Sequence, residues 1–213
     1  METVIGLKGK DFVLLAADTM LAKSIFFLRD NSSKIRILSR NCMMGVIGND
    51  GDAMHFTDFI STHISLYEIK NGYPMETQTV VHFTRHHLLA NVASKVKYMV
   101  AMLLACFDPK RGPNLCFIDA HGASQSLNYS GHGIGHTICM SIFHMLWKPG
   151  LTIEGGQSII RKCVAEIQNR LIVNLRHFEV YLVDKDGIRK LDSVGGKQVD
   201  LINQECIVPI TRA

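Results

Sequence analysis

Thr3-Val4-Ile5-Gly6-Leu7-Lys8, then Gly9-Lys10-Asp11, then Phe12-Val13-Leu14-Leu15-Ala16-Ala17-Asp18 is the stretch on which the fold turns. Two short apolar runs with strand composition are separated by three residues with the chemistry of a hairpin loop. The second run ends in Ala16-Ala17-Asp18-Thr19, and Lys34 follows sixteen residues after Asp18. An acid and a lysine brought by a fold to the start of the chain could activate a nucleophile placed there.

Composition sets the frame. With 213 residues, 47% of them hydrophobic, and only five prolines, the chain can bury one core, and no compositional shift marks a second domain. The formal charge of +4 is spread along the chain without a basic run interleaved with aromatics, so no nucleic-acid partner is expected. Lys8, Asp11, Asp18, Lys23 and Arg29 interrupt the apolar start, and the first residues lack the basic-then-apolar order of a secretory signal. The reading is therefore a soluble, intracellular protein with no membrane partner. Cysteines at 42, 106, 116, 139, 163 and 206 show no CxxC spacing and read as buried free thiols of a reducing compartment.

Beyond the hairpin, strands are expected over Ser24 to Leu28, Ile35 to Ser39 and Cys42 to Gly48. Asn49-Asp50-Gly51-Asp52 starts a helix whose apolar residues, from Ala53 and Phe56 to Ile64 and Tyr67, recur at helical spacing until Asn71-Gly72 stops it. A second helix begins near Pro74-Met75-Glu76-Thr77. Lys97 to Ala105 and Asn114 to Ala120 then read as paired strands, which Ser124 to Ser130 would extend. Gly131-His132-Gly133-Ile134-Gly135 opens a third helix and Thr152-Ile153-Glu154-Gly155 a fourth. Phe178 to Asp184 and Ile188 to Leu191 form a closing hairpin around Lys185-Asp186-Gly187.

Two motifs carry weaker chemistry. His82 and His86 have the i,i+4 spacing of two zinc ligands, but residue 83 is Phe, HExxH is absent, and no third ligand stands at a fixed spacing. Surface or interface histidines are the better reading, as they are for His132 and His136, so no metal is expected. The glycines at 131, 133 and 135 follow G-x-G-x-G, not G-x-G-x-x-G, and no Gly-Lys-Ser/Thr follows them. A tight strand-to-helix connection explains them without a nucleotide, and no cofactor is expected.

Taken in order, Met1-Glu2-Thr3-Val4-Ile5-Gly6, Leu15 to Thr19, Lys34, Gly45-Val46-Ile47-Gly48, Tyr67 to Tyr73, Phe83-Thr84-Arg85, His132 to Gly135, Arg161-Lys162-Cys163, Val183 to Ile188 and Lys190-Leu191-Asp192 resemble the proteasome beta subunits. The resemblance is nearest to the type-2 kind, which takes the fourth position of the beta ring. It covers residues 1 to about 192 and implies an α+β fold, the four-layer αββα sandwich of N-terminal-nucleophile hydrolases. It also implies one domain over 1–191. The C-terminal tail over 192–213 departs from the family's pattern, which usually stops sooner; polar and then apolar at Ile207-Val208-Pro209-Ile210, it reads either as disordered or as docked on a neighbouring subunit.

In active members of that family the nucleophile is a threonine freed after a glycine, sixteen residues before the acid. On this spacing Asp18 points to Glu2, which Met1 precedes. Thr3 is one residue away, and a one-residue slip turns a strand side chain to the other face. The supporting serine of the glycine-rich turn falls at Gly133 or a neighbour, the helix-end acid near Leu171 and the following serine near Asn174, so four of six functional positions are lost. Asp18 and Lys34 remain as a vestigial pair. The resemblance thus implies a non-catalytic structural subunit of the 20S core, serving ATP- and ubiquitin-dependent protein degradation in cytoplasm and nucleus. Its partners would be beta subunits of the same and the opposite ring, and alpha-ring subunits. The alternative is an active threonine hydrolase that uses Thr3 after removal of Met1 and Glu2.

Overall fold

A computed structural model describes residues 2–23, 26–92, 97–173 and 175–195. The elements run β1 (Thr3–Lys8), β2 (Phe12–Asp18), β3 (Leu21–Lys23), β4 (Phe26–Arg29), β5 (Ile35–Ser39), β6 (Cys42–Gly48), α1 (Asp50–Asn71), α2 (Thr77–Val92), β7 (Val100–Asp108), β8 (Gly112–Ile118), β9 (Ser124–Leu127), β10 (Tyr129–Gly133), α3 (His136–Leu146), α4 (Ile153–Arg170), β11 (His177–Asp184) and β12 (Gly187–Gly195). Two five-stranded antiparallel sheets result, in the orders β10-β1-β2-β11-β12 and β5-β6-β7-β8-β9, and β3 and β4 form a separate ribbon.

Strand alternation explains the layering. Along β2, Phe12, Leu14 and Ala16 join Cys139, Phe143, Ile160 and Ile167 in the core beneath α3 and α4. The intervening Val13, Leu15 and Ala17 face the opposite way and meet Met43, Leu103 and Leu115 between the sheets. A run buried on both faces shows no polar alternation, which is why β2 reads as continuously apolar. On the far side, Phe56, Ile60 and Ile64 of α1 and Val80 and Leu88 of α2 cover Met44, Val46, Met102 and Leu104. The order helix, sheet, sheet, helix is the αββα sandwich that the sequence led us to expect.

The expected and the observed elements differ in several places, the β3–β4 ribbon among them, where one strand over Ser24 to Leu28 was expected. Ser124 to Ser130 is not one strand. β9 extends the second sheet, but after Asn128 the chain crosses to the first sheet, where β10 pairs with β1 (Thr3↔Gly133, Ile5↔Gly131). The final strand continues to Gly195, past the expected domain end at 191. The remaining tail lies outside the described residues. Cys116, Cys139 and Cys163 are buried free thiols as expected. Cys42 and Cys106, however, stand opposite each other on β6 and β7 with Cα atoms 4.2 Å apart, joined as a disulfide. The residues are 64 positions apart in sequence, so spacing carried no sign of the pairing.

Candidate functional site

β1 and β2 deliver the start of the chain to Asp18. The Thr3 amide donates to Asp18 Oδ1 at 2.6 Å, the Met20 amide donates to Asp18 Oδ2 at 3.1 Å, and Lys34 Nζ donates to the same oxygen at 2.7 Å. Lys34 Nζ also reaches the carbonyls of Asp18 at 3.0 Å and Met20 at 2.8 Å. Asp18 is wholly buried and Lys34 nearly so. Burial pushes the Asp18 carboxyl up from its ordinary range, while the Lys34 ammonium and the two amides pull it back.

Lys34 is itself held from below. Its amide donates to Glu179 Oε1 at 3.2 Å, and the Ser33 hydroxyl donates to the same oxygen. The other Glu179 oxygen lies 3.6 Å from Lys190 Nζ. Glu179 was missed as a site residue from the sequence. Its signal was a lone acid among the apolar residues of Phe178-Glu179-Val180-Tyr181-Leu182.

The two candidate positions at the chain start point to different places. Glu2 turns toward β6, where its Oε2 accepts from the Gly48 amide at 2.8 Å. Burial raises the Glu2 carboxyl above its ordinary value, against the lowering effects of the Gly48 N–H and Lys34. Gly48 is required there: its φ is +143°, and an added Cβ would fall on the Met99 carbonyl. Thr3 is fully buried, and its Oγ1 accepts from the Gly135 amide at 3.0 Å, at the start of α3. It follows Ile5 and Leu7, which enter the core beneath α3 and α4, and so faces away from the Glu2 side of β1.

The other anticipated positions are spread around this pair. Gly133, with φ +89°, is packed so tightly on Glu2 that a Cβ would meet the Glu2 carbonyl. Leu171 is the C-cap of α4, where its amide donates to the Ile167 carbonyl at 2.9 Å, and it brings no acid. Asn174 and Met1 lie outside the described residues. His132, expected at a surface or interface, is instead buried between the two sheets, with Nε2 3.1 Å from the Met102 carbonyl and its ring stacked on Phe117 at 4.1 Å. Burial lowers its pKa to about 4. His136 Nδ1 is buried without a hydrogen-bond partner. His86 lies against His87, while His82 lines a separate cleft. Among the described residues, no three His, Cys, Asp or Glu side chains come together as metal ligands would.

Chemically, the arrangement fixes a buried ion pair beside a backbone turn. Each proton of the Lys34 ammonium has an acceptor, so the group is positioned but already engaged. Where the spacing calls for a nucleophile there is a carboxylate bonded to a backbone N–H.

The family model described as "Proteasome subunit" matches residues 1–183. Proteasome subunit beta type-2 of Oryza sativa subsp. japonica is 35% identical over 190 residues, covering 89% of each chain. Proteasome subunit beta type-4 of Saccharomyces cerevisiae is 32% identical over 193 residues, 90% of this chain and 98% of that one. Proteasome subunit beta type-2-A of Arabidopsis thaliana is 33% identical over 189 residues, 89% of this chain and 92% of its own. With the sandwich, the Asp18–Lys34 pair and near full-length similarity together, the chain belongs to the proteasome beta-subunit family.

Proposed function

We propose that this chain is a non-catalytic, structural beta subunit of a 20S proteasome core, at the position of the type-2 and type-4 relatives in the beta ring. It would contact beta subunits of its own and the opposite ring, and an alpha-ring subunit. Through them it takes part in ATP- and ubiquitin-dependent protein degradation in cytoplasm and nucleus. The observation that carries this reading is Glu2 itself, which stands sixteen residues before Asp18 in the sequence and has its carboxylate bonded to the Gly48 amide. A carboxylate there lacks the hydroxyl that a threonine nucleophile requires.

The assembly half of the reading is supported by surface apolarity. Phe26, Phe27 and Leu28, consecutive on β4, are 67%, 61% and 56% exposed, and Met54, Ile69 and Met145 are also exposed. Contiguous apolar residues of this kind mark protein contacts. The rival use of Thr3 is disfavoured because its Oγ1 is fully buried and accepts from the Gly135 amide.

The test is the intact mass of the chain taken from its native assembly. A chain that retains Glu2 is expected. One that begins at Thr3 would overturn the non-catalytic reading in favour of a processed threonine hydrolase.

A further inference from the structure

At the far edge of the second sheet, β9 has β8 on one side and, among the described residues, no strand on the other. Ser124, Gln125 and Ser126 are exposed, and the β8–β9 register runs without a bulge from Ile118↔Ser124 to Leu115↔Leu127. Sheet edges are usually blunted by lysine, proline, a bulge or a cover, because unpaired backbone groups recruit further strands. The Ser-Gln-Ser-Leu sequence of β9 carries none of those residues.

Beside this edge opens a cleft of about 530 Å³ between the second sheet and α2. Its lining includes Ser124, Gln125 and Ser126 together with Lys8, His82 and Arg111. The acid in the same wall, Asp108, is already engaged: Oδ2 accepts from the Thr77 hydroxyl at 3.2 Å, and Oδ1 accepts from the Lys110 and Arg111 amides at 2.8 Å and 3.2 Å. Among the described residues no carboxylate lies within ion-pair distance of Lys8 or Arg111, although the Arg111 guanidinium is near enough to act on Asp108.

We propose that the β9 edge and its adjoining cleft bind an extended acidic segment of another protein, which adds a strand to β9 while its carboxylates meet Lys8 and Arg111. Main-chain pairing supplies the general affinity of strand addition, and the cations select for acid side chains at alternate positions. The surface is separate from the Asp18–Lys34 site, so the proposal stands whether or not that site is catalytic.

The experiment uses the tagged full-length chain as isolated from cells, alone or in whatever particle it forms. A fluorescein-labelled ten-residue peptide alternating glutamate and threonine is titrated by anisotropy, with a lysine-for-glutamate peptide as control. Hydrogen exchange is then read on residues 124–127. Saturable binding of the acidic peptide is expected, slowing exchange in β9 and weakening about tenfold in Arg111→Glu, the order of effect for a charge reversed opposite its partner. Arg111 is an exposed turn residue, so the variant should fold and purify as the parent does. Equal binding of the lysine peptide, protection elsewhere than β9, binding indifferent to Arg111→Glu, or no binding would each overturn the proposal. Failure of the chain to copurify with other subunits would count against the proposed function and leave this readout unaffected.

Discussion

Lys34 is the residue on which the interior of the candidate site depends. Its ammonium answers the buried Asp18 carboxylate and two carbonyls. Removing one partner of such a pair leaves an uncompensated charge out of water, at a cost of roughly 3–5 kcal/mol. Lys34→Met is therefore expected to lower the melting temperature sharply, and the added change Asp18→Asn to recover part of the loss, because asparagine still accepts from the Thr3 amide. Thermal unfolding of the parent and both variants checks this; a single variant as stable as the parent would show that the pair contributes little.

His132 sets a pH dependence at the same scale. Its folded pKa is depressed to about 4, so it stays neutral in the fold while the unfolded chain takes up a proton. The associated stability is present above the unfolded value, near 6.5, and is lost as pH falls from there toward 4, on the order of 3 kcal/mol in all. Melting temperatures of parent and His132→Gln should converge as pH falls through that window. Curves that stay parallel from pH 7 to 4.5 would contradict the assignment.

Among the elements, α4 is placed by a glycine. Gly156 is buried against β2, and a Cβ there would stand 2.9 Å from Leu14 and 3.2 Å from Phe12. Gly156→Leu should push α4 off the sheet and cost about 1–3 kcal/mol of overpacking. A denaturation midpoint matching the parent's would show that the helix–sheet contact is looser than described.

Legibility also divides at this scale. Elements whose partners follow closely, such as β1 with β2, were readable because apolar runs and the Gly9-Lys10-Asp11 turn specify them locally. The crossing at Asn128 was not, because Leu127 and Tyr129 are the large apolar or aromatic residues in a run of otherwise polar residues from 124 to 130, and alternation cannot say which of two sheets a strand joins. The Asp18–Lys34 pair was readable from the resemblance to the proteasome beta subunits. The bond from the Gly48 amide to Glu2 was not, since it joins residues 46 apart through the glycine's own backbone, and a backbone donor leaves no residue-type signature.

For the whole molecule, the four layers bury three cores, one beneath each helix pair and one between the sheets. Apolar side chains remain exposed on β4 and on both helix layers. No helix among the described residues is long and apolar enough to cross a membrane. A surface of this kind is what a subunit would present to its neighbours in a ring. The tail beyond Gly195, expected to dock on an adjacent subunit, is proposed as a further contact of the same assembly. A chain truncated after Gly195 should enter the particle less efficiently than the full chain, measured by their ratio in the purified complex. Equal incorporation would remove the tail from the account.

The most direct measurement of the central claim is the native mass of the tagged chain in a gentle extract, with the co-migrating proteins identified. The account predicts a particle of several hundred kilodaltons that contains related alpha and beta subunits. A monomer, or a ring of this chain alone, would contradict it and return attention to Thr3 as a nucleophile.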